Sequence, residues 1–253
     1  MLEKIIEACR YLLKHYPGAR ESKSYLDSRL NEDSQELFQF GYFPGVQDLS
    51  VLTDLVGEDT LREHGLFYTR VIEDSLFPRK IPTCYFQEYP LVMPYRDPYG
   101  KVVGIVGRNL LSDEERKKTK LSKYKNTKFE KGNAVFGLYE NKQSILDNGY
   151  VYVVEGQFDL IKASEIGFRN IVAVGSKNLT LYQFSVISRY SNDIRLLLDS
   201  DVSEKERKRI IQKFGQYANI QDFYLPDEYK DIDEYITKTK VSDYTEIPFA
   251  IRV

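Results

Sequence analysis

From Tyr150 onward the chain alternates short apolar runs with stretches of helical spacing, and few folds accept that pattern. YVYVV (150–154) precedes a helix over 157–167, NIVAV a helix over 179–190, DIRLLL a helix over 203–215, and ANIQDFY a last helix over 232–239. Strands that alternate with helices in this way predict parallel βαβ units around a mostly parallel central sheet. The change of pattern near 145–150 sets a domain of residues 149–253 apart from one of 1–148, although no Gly/Ser/Pro-rich linker stands between them.

The upstream part is of another kind. Leu2, Ile5, Ile6, Cys9, Leu12 and Leu13 paint one apolar stripe before Pro17-Gly18, which predicts a helix. Shorter helical patterns follow around 22–40, 48–56 and 58–65, so residues 1–88 read as a helical part. Residues 89–148 form a basic β-hairpin part. There Leu91–Tyr95 and Lys101–Val106 flank Asp97-Pro98-Tyr99-Gly100, with Pro and Gly where a tight turn needs fixed and permissive φ. An irregular basic segment comes next. The fold class is therefore α/β, a helical and hairpin N-terminal subdomain followed by the parallel-sheet domain.

In an open parallel sheet, ligands gather at the carboxyl ends of the strands, where helix N-termini point their N–H groups outward. The acids of the second half fall there. Glu155 directly follows VYVV and Asp159 lies in the first turn of the next helix. Asp199 directly follows DIRLLL, with Asp201 two residues on, and Asp231 and Asp233 repeat that spacing after the fourth strand. Six carboxylates at one rim repel one another unless cations lie between them, and oxygen-only ligands favour Mg²⁺ or Mn²⁺ over zinc or copper. A purely architectural alternative makes Asp159 and Asp233 favourable charges near helix N-termini and Asp201 an N-cap of the 203–215 helix. It leaves Glu155 and Asp199 at the strand ends unexplained.

Charge narrows the function classes. The net charge of −2 argues against a protein that coats nucleic acid, yet Arg116–Lys131 holds eight basic residues and one acid. That window is +7 and the remainder −9, which makes the segment a candidate phosphate binder. With two cysteines, two histidines, no CxxC and no HExxH, neither structural zinc nor a disulfide framework organises the chain. His15, His64 and Cys84 read as structural. The N-terminus lacks the layout of a secretory signal and no apolar run reaches a membrane span, so a cytoplasmic protein is expected.

VVEGQFD (153–159), IVAVGSKNLT (171–180) and LLLDSD (196–201) resemble the EGxxD segment, glycine-containing loop and DxD segment of TOPRIM domains, the metal-binding α/β fold of topoisomerases, bacterial-type primases and some nucleases. Upstream, SKSYLDSRL, FQFGYFPG, PYRDPYGKVVGIVGRNL (94–110) and SKYKNT…FEKGNAVFGLYE (122–140) are similar, in order and spacing, to the catalytic core of DnaG-type primases, which start RNA chains on single-stranded DNA. The glycine pair that commonly follows DxD in that family is replaced here by polar residues, in DSDVSEKE.

The resemblance implies a DNA-dependent RNA primase core, a nucleotidyltransferase using Mg²⁺ or Mn²⁺, ribonucleoside triphosphates and a single-stranded DNA template. It implies Glu155, Asp199 and Asp201 as catalytic metal ligands, with Asp159 in support and Asp231 and Asp233 holding a further ion that carries the triphosphate. Arg96, Arg108, Lys123, Tyr124, Asn126 and Lys131 match the family's template and nucleotide contacts, and Lys177 is a further phosphate candidate. There is no GxxxxGK[ST], so no P-loop holds the nucleotide. The sequence opens after the position of the family's zinc domain and stops before that of its helicase-docking domain. A replicative helicase or zinc-finger protein acting in trans is therefore expected, an arrangement that suits a phage or mobile element. Two other functions remain open, a TOPRIM nuclease and a non-catalytic nucleic-acid-binding subunit.

Overall fold

The computed structural model describes residues 1–72 and 78–252, except the side chain of Lys131. The chain divides into two compact units, Met1–Tyr95 with Val102–Phe129, and Arg96–Lys101 with Glu130–Val253.

In the first unit the Leu2–His15 helix buries Ile5, Ile6, Cys9, Leu12 and Leu13, as its stripe requires. It ends where Tyr16 turns extended ahead of Pro17. The helical pattern over 22–40 is two helices, Arg20–Asp27 and Glu32–Leu37, because the Asn31 side chain accepts the Ser34 N–H at 2.8 Å and starts a new helix. Two more helices, Ser50–Val56 and Glu58–Glu63, lie near their expected places.

The reading of residues 1–88 as helical needs correcting. Phe67–Ile72 pairs antiparallel with Arg79–Cys84, in register from Phe67↔Cys84 to Ile72↔Arg79. Only Phe67 and Cys84, at the base, are buried, so the ribbon carries no apolar alternation for a sequence reading to detect. Gly41–Tyr42 forms a short strand beside Leu91 and Val92. A Cβ on Gly41 would stand 2.6 Å from the Cys9 Cβ, so glycine is what lets the first helix lie against this strand.

The hairpin stands where its turn signal put it, with strands Leu91–Arg96 and Val102–Arg108. Asp97 Oδ1 accepts the N–H groups of Tyr99 and Lys101, and Gly100 takes φ +95°. The basic segment is more regular than expected. A Ser112/Glu115 capping box starts a helix over Asp113–Thr119, and Tyr124–Asn126 then joins the hairpin as a further strand, Tyr124 opposite Arg108.

The second unit holds a five-stranded sheet in the order Ala250–Arg252, Asn219–Tyr224, Asp193–Leu196, Tyr150–Val154, Ile171–Ala173. The last four run parallel and the C-terminal strand antiparallel. Helices Gln157–Glu165, Leu181–Ile187, Glu204–Phe214 and Ile232–Thr239 follow the parallel strands. The first and third of these strands in chain order are neighbours, while the second and fourth flank them. The strand order therefore reverses between Tyr150–Val154 and Asp193–Leu196, the place where open α/β sheets leave a crevice at their carboxyl ends. This unit also extends upstream of Tyr150. Phe136 and Ala173 exchange backbone hydrogen bonds at 2.9 and 3.0 Å, and buried Asn141, on the Leu138–Asn148 helix, donates to the Ile171 carbonyl at 2.9 Å.

Candidate metal centre

The two strands that meet at the reversal end in the two acids. Glu155 follows Val154, and Asp199 lies just past Leu196. With Asp201, they bring one carboxylate oxygen each to within 4.8 Å of one another, Glu155 and Asp199 partly buried and Asp201 exposed. Oε1 of Glu155 is buried and has no hydrogen-bond partner. A carboxylate oxygen in that state is costly unless a proton or a cation meets it.

The electrostatics agree. Burial, then the charges of Asp199 and Asp201, raise Glu155 to about 7, against the pull of the Asp199 backbone N–H and of Lys230. Asp199 is raised too, by burial first, although Lys230 opposes this. Burial and the charges of Asp231, Asp199 and Asp233 lift Asp159 to about 8. Three oxygen donors, one of them unpartnered, fit a hard divalent cation such as Mg²⁺ or Mn²⁺.

The other acids stand differently. Asp159 is 8% exposed and folds back on its own helix start, where Oδ2 accepts the Gly156 N–H at 3.0 Å. A Cβ at Gly156 would collide with that oxygen, which gives the glycine of EGxxD its physical reason. The Asp159 carboxyl also accepts the backbone N–H of Asp233, so two helix starts share one buried acid. Asp231 caps the Ile232–Thr239 helix, its Oδ1 accepting the Glu234 N–H at 2.8 Å, and Asp233 Oδ1 accepts the Thr237 hydroxyl at 3.3 Å. Neither Asp231 nor Asp233 joins the three-carboxylate group. The architectural alternative for Asp201 does not hold, because Ser203, in a capping box with Glu206, caps the Glu204–Phe214 helix. Asp201 is left with no capping duty.

The expected phosphate and template residues divide between the units. In the first, Arg108 is 5% exposed, donates to the Tyr124 hydroxyl, and stacks within 5.3 Å of the Tyr25 ring centroid and 5.2 Å of that of Tyr124. Exposed Lys123 stands 5.7 Å from the Tyr124 ring centroid. Asn126 accepts from the Tyr85 hydroxyl through its backbone carbonyl at 2.5 Å, and its side-chain Oδ1 is buried without a partner. In the second unit Arg96 donates to the Gly100 carbonyl at 2.5 Å and faces Glu140 at 3.7 Å, closing the hairpin turn. Lys177 pairs with Glu206 at 2.7 Å. Lys131 begins a short 3-10 turn, and its side chain lies outside the described residues.

Two basic residues at the acids escaped the sequence reading. Lys230 Nζ lies 3.3 Å from Asp199 Oδ2, and its backbone carbonyl accepts the Ser200 N–H at 2.8 Å. Its position beside Asp231 in KDID was a usable signal. Arg207 reaches the same loop from the following helix, and nothing local announces it.

Comparison with known proteins places these features in a family. The profile for the DNA primase catalytic core, N-terminal domain, matches residues 10–142, and a Toprim-like profile matches residues 152–236. The DNA primase of Aquifex aeolicus is 31% identical over 227 residues, covering 86% of this chain and 42% of that protein. This chain thus spans under half of that relative's length. Among solved structures, the E. coli primase catalytic core superposes with a TM-score of 0.73 at 25% identity, over 92% of this chain and 73% of that one. A DnaG primase catalytic domain bound to single-stranded DNA superposes with a TM-score of 0.72 at 23% identity, over 93% of this chain and 77% of that one. Among the described residues, no helix is long and apolar enough to cross a membrane.

Proposed function

This chain belongs to the DnaG-type primase family, and on that premise we propose that it joins ribonucleotides into short RNA primers on a single-stranded DNA template. The observation that carries the reading is the group Glu155, Asp199 and Asp201 at the sheet's reversal point, with a buried, unpartnered Glu155 oxygen. Transfer of a nucleotidyl group needs a 3′-hydroxyl in line with an α-phosphate, and charge compensation as pyrophosphate leaves. Mg²⁺ or Mn²⁺, when bound, would lower the cost of deprotonating the hydroxyl and of building charge on the phosphate oxygens.

The chain's own residues do the rest. Glu155, Asp199 and Asp201 would hold the cation, and for that Glu155 would have to give up the proton that burial favours. Asp159 supports them by fixing the Gly156 turn, while Asp231 and Asp233 add negative charge beside the acids to favour a further ion with the triphosphate. Lys123 and Tyr124 offer a point charge and a ring face to the template, and Arg108 orients the Tyr124 ring through its hydroxyl. Arg96, Asn126, Lys131 and Lys177 are assigned to nucleotide or template contacts from the family pattern. A replicative helicase or a zinc-finger protein is the expected partner for template capture.

Incubating the purified chain with single-stranded DNA, labelled ribonucleoside triphosphates and Mn²⁺ tests the reading. Short RNA products support it. Shortened DNA would mean that the same acids activate water, and neither product would leave a nucleic-acid-binding subunit.

A further inference from the structure

Arg207 is 2% exposed, and the acceptors around its guanidinium lie on one loop and one carboxylate. Nε donates to the Val202 carbonyl at 3.1 Å, and one terminal nitrogen donates to the carbonyls of Leu198 and Asp199 at 2.9 and 2.6 Å. The other terminal nitrogen donates to Asp222 Oδ1 at 2.9 Å. Asp222 is 5% exposed and sits on the neighbouring strand in register with Leu196, on the strand that leads to Asp199. The Val202 N–H returns to the Asp199 carbonyl at 3.1 Å, so residues 199–202 close a turn that the guanidinium grips at both ends.

A buried arginine–carboxylate pair is a poor way to gain stability, since well-packed apolar residues of similar volume often do as well or better. What an apolar pair cannot supply is a rigid fork of donors at fixed spacing. Here the fork is directed at the backbone that carries Asp199 and Asp201, two carboxylates forced close to Glu155 against their mutual repulsion. Unrestrained, such a loop relaxes by moving the charges apart.

We propose that Arg207 is a positioning residue of this site. Anchored by Asp222, it holds the 198–202 backbone in the shape that presents Asp199 and Asp201 to Glu155 before a divalent cation binds. The proposal rests on the metal-dependent reading above and adds a residue that touches neither cation nor substrate. It assigns the Glu204–Phe214 helix a part in metal affinity.

Direct titration of the full chain with Mn²⁺, following free Mn²⁺ by electron paramagnetic resonance, tests this without any turnover. The double variant Arg207→Met/Asp222→Leu removes both charges together and is expected to keep the parent melting temperature in metal-free buffer. Its Mn²⁺ dissociation constant should rise about 10- to 100-fold, the usual effect of losing a group that orients metal ligands. Arg207→Lys retains a cation beside Asp222 but cannot bridge three carbonyls, and should weaken Mn²⁺ at least about tenfold. At saturating Mn²⁺ both variants should regain transfer with the parent's KM for nucleotide, a recovery that a general loss of packing would not give. Parent-like Mn²⁺ affinity in either folded variant would overturn the proposal, as would weakened affinity matched by an equal loss of stability in both. Because Mn²⁺ is read directly, a parent chain that makes no RNA while Arg207 still governs Mn²⁺ affinity would remove the primase reading alone.

Discussion

Nζ of Lys230 stands 3.3 Å from Oδ2 of Asp199, so the protein's own cation rests against one of the three carboxylates grouped at the strand ends. The lysine would compete with a metal for the same carboxylate. Lys230→Ala should therefore tighten Mn²⁺ binding, by about fivefold, the equivalent of about 1 kcal/mol for a pair in which Lys230 is exposed and Asp199 partly buried. Calorimetric titration of parent and variant at one ionic strength checks it, and weaker binding in the variant would show that Lys230 supports the site.

Glu155→Gln and Asp199→Asn should each cut nucleotide transfer to below about a hundredth of the parent's. Each also removes like charge from a partly buried rim, so melting temperature in metal-free buffer should stay level or rise, on the order of 1 kcal/mol in stability. Thermal melts with a chelator present decide between this and an architectural role. An acid that mattered only as a helix cap would lower the melt by about 0.5–2 kcal/mol when replaced.

Glu155 holds its proton to about 7 and Asp159 to about 8, whereas in the unfolded chain both release it near pH 4. Between about pH 4 and 8 the folded state thus binds more protons, and linkage makes this contribution to stability fall as pH rises through that window. Metal-free melting temperature should decline from pH 6 to 8.5, more steeply in the parent than in Glu155→Gln. Mn²⁺ affinity should climb over the same range, because the cation must displace the proton. Equal pH slopes in parent and variant would count against the raised acid.

Lys123 and Lys125 are neighbours in sequence with different surroundings. Lys125 donates to the Tyr85 carbonyl at 2.6 Å and lies 4.1 Å from that ring's centroid, while Lys123 is exposed beside Tyr124. Lys123→Ala should weaken oligothymidine binding and flatten the plot of log affinity against log salt by about 0.7. Lys125→Ala should leave the slope alone and lower stability by about 1 kcal/mol. Binding isotherms at several salt concentrations, paired with melts, separate the two.

The acids were legible because each ends an apolar strand: VYVV runs straight into Glu155 and DIRLLL into Asp199. The parallel sheet followed from short, continuous apolar runs, buried on both faces, that take turns with stretches of helical spacing. The Phe67–Ile72 and Arg79–Cys84 ribbon was not legible, since nearly all its side chains face solvent. Nor was the capping of the last helix by Asp231, which has the same DxD spacing as Asp199 and Asp201 but different neighbours in space. Arg207 was hidden for a related reason. Its partners Leu198 and Asp222 lie 9 and 15 residues away, beyond any local periodicity.

The hairpin tip Arg96–Lys101 belongs to the second unit, where Gly100 packs on the Tyr139 ring and Arg96 faces Glu140. A recombination event with one crossover near residue 130 would inherit the tip from one parent and its seat on the Leu138–Asn148 helix from the other. Natural shuffling of the unit that carries the three acids is thereby penalised unless six upstream residues travel with it. Inheritance of the two units as one block is the outcome such threading favours.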